Sequence, residues 1–590
     1  MRALTSRPDS WSGVASVLLV AMALGFPISV LGQEEDGQAE DSPQEFFEIV
    51  DVEVANIDVW VNDKEGRPVT GLTKGDFEVF RDGRPIEVTN FYAVSSGRVE
   101  SSGVVELGGE ALPLGSEVQV PSLEVELSPE HQLWVVVYID HYNLHPLDRD
   151  RILPSVRDFL NHALSSGGKA MILGFDRGLE VVSPFTDQAP LLWDALEDQE
   201  GKSGFSVVRD REQFEMLKRI DDSNSASRAL ADARQYAEER LNSVRYTIDA
   251  LERVVDSLGG LPGRKALLYV SSGVPMVSGE EMFHAVAEKF GSTTAYAEIP
   301  RHSSDRDFEQ LNEYANSQRV VFYTLDASGL QGSKFGAAEY GGFVDPSLRS
   351  TLDSVVAENL QAPLRFMALE TGGQAIVNRN NVLPALDDVI GDMRTFYSLG
   401  VSTGGGDDEE YHEIEVKFKE RRKGWTIRHR GGYRSKGLDE RVREGLESAL
   451  LYEHAENHLG VTVQWGKAER EGGRGNYVLP IELHVPLRSV EILPVSSGKH
   501  EARLKLLVGT VDEDGVSSEI ADSPFGIRLD GEYVDAARQE SLVHTHRLLI
   551  GPGRRKVGVA IVDLFGRTSS VVTGYLQIGP KSERIRMPRD

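Results

Sequence analysis

The chain has 590 residues, 40% hydrophobic and 26% charged, enough apolar content for folded cores and enough length for roughly three domains. Its 93 acidic and 63 basic residues give a formal net charge of -30, a surface that repels nucleic acid and anionic lipid. There is no cysteine, which excludes disulfides, thiolate metal sites, iron–sulfur clusters and cysteine nucleophiles.

Arg2 and Arg7 precede an apolar run from Val14 to Leu24, and Val30-Leu31-Gly32 stand before the acidic stretch "QEEDGQAEDSPQE". This pattern predicts a signal peptide over 1–32, a disordered acidic segment over 33–46, and export to a secreted, periplasmic or cell-surface location. An uncleaved anchor is the alternative, because Val14 to Leu31 approaches spanning length. After signal cleavage no membrane insertion is expected.

Alternation in "IDVWVND" and the Asp82-Gly83 turn between "DFEVF" and "PIEVTNFYAV" predict a first part of a β module over 47–95. A Gly-, Ser- and Glu-rich linker follows over 96–128. From 131 the runs become continuously apolar. "LWVVVYID", "KAMILGF" and, after a tight "DRG" turn, "LEVVSPF" read as strands of one buried sheet. Later come a long polar helix near Ser227 to Leu258, the strands "KALLYVSSG" and "RVVFYTLDA", the helix "PLRFMALETGG" and a short strand "QAIV". Strands alternating with helices predict an open α/β sheet over 129–394, with right-handed crossovers and its ligand face at the carboxyl ends of the strands. Short strands return over 395–435 and have no other sheet to join than the first β module. "LDERVREGLESALLYEHAENH" predicts a connecting helix over 436–459. Only strands follow over 460–580, spaced as in a β-sandwich, with a tail over 581–590.

Five segments in order, "NIDVWVNDKEGRPVTGLTKGDFEVFRDGRP", "FTDQAPLLWDALE", "LPGRKALLYVSSG", "ALETGGQAIVNRNN" and "FYSLGVS…HEIEVKFK…WTIRHRGGYR", resemble acidobacterial-type exported proteins related to the von Willebrand factor type A domain (VWFA). The resemblance covers about 47–435. It implies a multidomain α/β plus β fold, with a Rossmann-like A-type domain inserted in a small β module and a C-terminal β-sandwich behind it. It also implies a secreted or periplasmic binding protein with no established enzymatic activity.

The family's metal-ion-dependent adhesion site (MIDAS) begins with Asp-x-Ser-x-Ser at the end of the first strand. Asp140 maps to the Asp, but Tyr142 and Leu144 stand at the two Ser positions, and Ser272 stands where the fourth strand usually ends in Asp. Divalent ions of the magnesium type need nearly complete oxygen coordination, so the site reads as degenerate. No metal or cofactor is expected, a weak divalent cation at Asp140 being the one exception left open. The alternative is that Asp140 caps the next helix or accepts backbone N–H groups. The expected binding face is Asp140, Tyr142, Asn143, Ser271, Ser272 and Asp326, with a protein partner and no catalytic residues. A scaffold role in a cell-envelope assembly is the alternative, and a hydrolase a distant third.

Five other motifs are set aside. "DDSNS" (221–225) copies Asp-x-Ser-x-Ser but follows a charged helical stretch and reads as a helix cap. "EGKSG" lacks the first glycine of a phosphate loop, and "SSG" lacks that of a nucleophile elbow. His454 and His458 read as two histidines near a helix C-terminus, and "DEDG" as a hairpin turn.

Overall fold

Strong alternation and one tight turn shape the first strands: β1 (Val54–Asn62), β2 (Phe77–Arg81), β3 (Arg84–Ile86), β4 (Val88–Ser95) and β5 (Arg98–Ser101). Asp82 and Gly83, joining β2 to β3, both have positive φ (50° and 74°), the geometry of a primed hairpin turn. The computed structural model describes residues 54–95, 98–101, 132–202, 204–330, 346–403, 410–471, 475–495, 498–513 and 515–579. The segments read from sequence as signal peptide, acidic stretch and tail, and nearly all of the expected linker, lie outside them. The architecture is mixed α/β and multidomain, with several sheets. The chain divides into one unit of Glu48–Leu258 and Pro262–Lys436, and a second containing Gly437–Asp590 and Gly259–Leu261.

In the first unit there follow β6 (Leu133–Asp140), α1 (Pro146–Ser165), β7 (Lys169–Phe175), β8 (Leu179–Thr186), α2 (Ala189–Glu197), α3 (Ser206–Asp222), α4 (Ala226–Leu258), β9 (Arg264–Ser271), α5 (Glu280–Phe290), α6 (Thr293–Tyr296), α7 (Asp305–Ser317), β10 (Val320–Asp326), α8 (Pro346–Glu370), β11 (Ala375–Ile376) and α9 (Leu383–Arg394). The sheet order is β11-β10-β9-β6-β7-β8. Every residue of β6 is buried, as expected for a central parallel strand covered on both faces. Val135, Val137 and Ile139 pack on one side with Val156, Phe159 and Leu160 of α1 and Leu386, Val389 and Ile390 of α9.

The "LEVVSPF" strand differs from its expected place among the buried strands. β8 pairs antiparallel with β7 at the sheet edge, and its Leu179 and Val181 are 37% and 56% exposed. A turn as short as Asp176-Arg177-Gly178 cannot make a parallel crossover, so it makes a hairpin. The segment before α4 forms a full helix, α3. Its Leu217 and Ile220 share a core with Leu230, Tyr236, Met282 and Phe283.

The first unit closes with β12 (Phe396–Ser402), β13 (Tyr411–Phe418), β14 (Thr426–His429) and β15 (Gly432–Arg434). β12 lies between β1 and β4, with Ile57 opposite Leu399 and Val94 opposite Phe396. β14 extends the other edge of β1, and a second sheet runs β15-β13-β2-β3. Ile57, Val59, Phe77, Val79, Leu399 and Ile414 fill the space between them. Trp60 of β1 donates its indole N–H to the Asp392 carbonyl of α9 at 2.9 Å, and Arg428 of β14 reaches the Asp392 carboxylate at 2.6 Å.

The second unit opens with α10 (Leu438–Tyr452). The helix stops short of the predicted end because Glu453 turns left-handed (φ 59°) and its carboxylate accepts the Tyr575 hydroxyl. His454 and His458 therefore lie beyond the helix, where both flank Glu456, at 3.7 and 3.0 Å. Strands β16 (Thr462–Trp465), β17 (Glu469–Glu471), β18 (Asn476–Pro486), β19 (Leu493–Pro494), β20 (Lys499–Asp512) and β21 (Ala521–Asp530), a short α11 (Val534–Ala537), and β22 (Ser541–Ile550), β23 (Gly553–Asp563) and β24 (Thr568–Ile578) make two antiparallel sheets. Along β18, Tyr477, Leu479, Ile481, Leu483 and Val485 alternate inward. Leu446, Ala449 and Leu450 of α10 cover the outer side of β20 and β23 at Leu507, Ala560 and Val562.

One buried group gives this unit a pH dependence. His544 of β22 is 1% exposed, stacks on Phe525 with ring centroids 4.4 Å apart, and finds a partner for neither ring nitrogen. Burial, with the neighbouring His546, pushes its pKa down from 6.5 to about 4. The unfolded chain then takes up the proton first, so stability is lost as pH falls from about 6.5 towards 4. The expected loss by pH 4 is about 2–3 kcal/mol. Urea melts at several pH values should show a flatter acid limb for His544→Phe. Equal slopes in the two proteins would refute the assignment.

Candidate strand-tip site

β6, β9 and β10 end on one side of the sheet and bring Asp140, Ser271 and Asp326 to their carboxyl ends, where open α/β sheets bind ligands. Asp140 is fully buried. One carboxylate oxygen accepts the Asn143 backbone N–H at 3.0 Å. The other accepts the Asn143 amide at 2.8 Å, the Ser271 hydroxyl at 3.1 Å, and the Tyr269 hydroxyl. Burial raises the carboxyl's pKa, and the hydrogen bonds from Tyr269 and Asn143 and the charge of Arg209 oppose that rise. Asp140 does not cap α1, whose first turn is capped by His145.

Arg209 comes from α3. Its guanidinium donates to the Asn143 side-chain oxygen and to the Tyr142 carbonyl, and lies 5.1 Å from the Tyr142 ring centre. That ring stacks flat on Phe205, with centroids 5.3 Å apart. Burial and the facing Arg240 push the Arg209 pKa down to about 10, so at neutral pH it keeps its charge. A fixed guanidinium thus stands beside the Asp140–Asn143 pair, and the Asp140 oxygens face hydrogen-bond donors. Oxygens already held by protein N–H and O–H groups are poorly placed for six-fold coordination of a divalent ion.

The remaining predicted residues take different places. The Ser272 hydroxyl accepts the His145 backbone N–H at 3.2 Å and lies 3.5 Å from the Asp148 carboxylate, whose pKa burial raises. Gly273 fixes the strand exit. Its φ is +99°, and a Cβ there would lie 2.7 Å from the Leu360 carbonyl oxygen. Asp326 is held apart from Asp140. It accepts Ser328 N–H at 3.0 Å and the Gln361 amide of α8 at 2.8 Å. The structure thus brings Asp140, Asn143 and Ser271 together, seats Tyr142 on Phe205, and leaves Ser272 and Asp326 with other partners.

A cavity of about 310 Å³ opens beside this cluster. Asn143 and Ser272 line it, with His145 and Asp148 at the start of α1, Arg209 and Gln213 of α3, Arg240 of α4 and Glu281 of α5. These helical residues had no place in the predicted face. In α3, Arg209 and Gln213 are buried in line with Leu217 and Ile220, but a charged, polar helix face of this kind reads from sequence as a solvent face. The His145 ring nitrogen Nδ1 accepts Leu147 N–H at 3.3 Å.

"DDSNS" forms the corner between α3 and α4, where the Ser225 hydroxyl accepts Arg228 N–H at 3.4 Å. Among the described residues no group of three or more His, Asp or Glu side chains converges as a metal-binding set. No helix among them is long and apolar enough to cross a membrane.

No family model matches the chain, and no curated protein does. Among solved structures it is similar to an aerotolerance-related membrane protein from Bacteroides fragilis NCTC 9343 (11% identity, 45% of this chain and 98% of that one, TM-score 0.21). It is also similar to the conserved hypothetical protein BatB from Bacteroides thetaiotaomicron (9%, 45% and 97%, TM-score 0.19). A third is the pilus adhesin SpaC from Lactobacillus rhamnosus GG (8%, 75% and 52%, TM-score 0.22). These scores are too low to assign a family or a function.

Proposed function

We propose that this is an exported, non-enzymatic binding protein. In this reading residues 129–394 are an A-type domain that captures a protein or ligand at the carboxyl ends of its strands without a divalent ion. The observation that carries the reading is the Arg209 guanidinium on Asn143 and Tyr142, beside an Asp140 whose oxygens already accept protein donors. Fixed positive charge supplied by a side chain does not depend on metal supply. Calorimetric titration of Mg²⁺, Mn²⁺ and Ca²⁺ into the full chain, with Asp140→Ala alongside, is expected to show no binding heat in either protein. Micromolar binding that disappears in the variant would overturn the metal-free reading.

A second reading, a scaffold component of a cell-envelope assembly, draws on the exposed Leu179 and Val181 of the edge strand β8. It predicts self-association or co-assembly that Val181→Lys abolishes, measured by sedimentation.

A further inference from the structure

The strand-tip cavity carries unmet hydrogen-bonding capacity of both kinds. Gln213 is 8% exposed. Its amide nitrogen donates to Glu281 at 2.7 Å, and its Oε1 has no partner. A buried acceptor left unpaired costs stability that a ligand donor would recover. Arg240 of α4, half-buried, lines the same cavity as Arg209 and makes no hydrogen bond or ion pair with any described residue. Two guanidinium groups held together in one cavity attract an anionic group between them.

A simple anion does not satisfy the whole site. Asp148, Asp210 and Glu281 also line it, against Arg209 and Arg240. A lone anion meets three carboxylates, and a lone cation meets two guanidinium groups. A molecule with a carboxylate at one end and an ammonium at the other meets a favourable charge at each. Tyr236, Pro275, Val356 and Leu360 add apolar surface to the lining, and the volume of about 310 Å³ lies at the small end of ligand pockets.

The geometry points to a zwitterion of the amino-acid or dipeptide class with an apolar side chain, its carboxylate on Arg240 and Arg209 and its ammonium on Gln213 Oε1 and Glu281. This deepens the metal-free binding reading and rests on it. The ligand's ammonium supplies the donor that Gln213 lacks, and its carboxylate supplies the anion that Arg240 lacks.

The test uses the full chain with L-leucine and the dipeptide alanyl-leucine. 4-Methylpentanoate, which lacks the ammonium, and 3-methylbutylamine, which lacks the carboxylate, are the controls. Calorimetry and thermal melts are expected to show saturable binding of a zwitterion with Kd of about 1 mM or tighter. Each control should bind about tenfold weaker or worse. Arg240→Met, which gives up no protein hydrogen bond, should keep the wild-type melt and lose the ligand effect. Gln213→Leu should lose it too. The proposal is overturned if neither zwitterion binds, if a control binds as tightly, or if Arg240→Met still binds. Binding of 4-methylpentanoate alone would overturn the zwitterion and leave the metal-free binding face standing. Micromolar metal binding at Asp140 would remove that face itself.

Discussion

Asp140→Ala is expected to lower the stability of the first unit by about 3–5 kcal/mol. The change leaves the Asn143 amide and backbone N–H and the Ser271 and Tyr269 hydroxyls without their acceptor. It also strips Arg209 of a neighbouring negative charge. Each buried donor left unmet costs about 1–3 kcal/mol. The gain from removing a desolvated carboxylate offsets part of the sum. Asp140→Asn should cost less, because one oxygen survives while an added N–H faces donors. The two units should unfold in separate steps, so urea melts should show the first transition shifted and the second unmoved. A variant within about 1 kcal/mol of the parent would mean that Asp140 serves a ligand and not the fold.

The pH behaviour provides an independent check. A carboxyl whose folded pKa is raised binds its proton more readily in the folded state, so its contribution to stability declines as pH rises from the ordinary aspartate value through the raised one. Asp140→Ala should remove that decline. This is opposite in sign to the acid lability that His544 gives the second unit, and the two can be separated by transition.

Arg428→Met is the second large effect, about 3–5 kcal/mol, again on the first unit. Asp392 is 2% exposed, and its carboxylate is held by Arg428 at 2.6 Å and by the Gln374 amide at 2.7 Å. Arg428 also donates to the carbonyls of Gly372 and Gly373 at 3.0 and 3.1 Å. Removing the guanidinium strands a buried carboxylate whose pKa burial already raises. Asp392→Asn on the Arg428→Met background should recover part of the loss by removing the stranded charge. If the single variant melts like the parent, the pair is solvated and the account is wrong.

Much of the fold was legible because the strands announce themselves. An uninterrupted apolar run such as Leu133–Ile139 fits a strand covered on both faces, and strict alternation along Asn476–Pro486 fits one covered on a single face. What failed had local causes. Leu179–Phe185 is apolar enough for a buried strand, yet the three-residue turn before it dictated an edge hairpin. The helix from Leu438 looked continuous through His458, but a left-handed Glu453 anchored by Tyr575 ends it early. At the site, the tip residues were readable as the ends of apolar strands. Arg209, Gln213 and Arg240 were not, because they approach from helices remote in sequence, and their burial depends on packing that no local pattern encodes. A charged stripe such as Arg209–Gln213 looks like a solvent face until the core it adjoins is known.

The pairing of Val94 with Phe396 also bears on the order in which the chain folds. Those neighbours in one sheet are separated by roughly 300 residues, and closing so long an open loop costs about 5 kcal/mol of chain entropy. If the intervening α/β segment collapses first, its own packing brings the two ends together, and the strands β4 and β12 meet as though joined by a short link. The small two-sheet module then forms last and reports on the maturity of everything between its halves. A nascent chain released before β12 emerges would hold β1 and β4 without the strand that lies between them, and those open edges make it a natural substrate for chaperones and proteases.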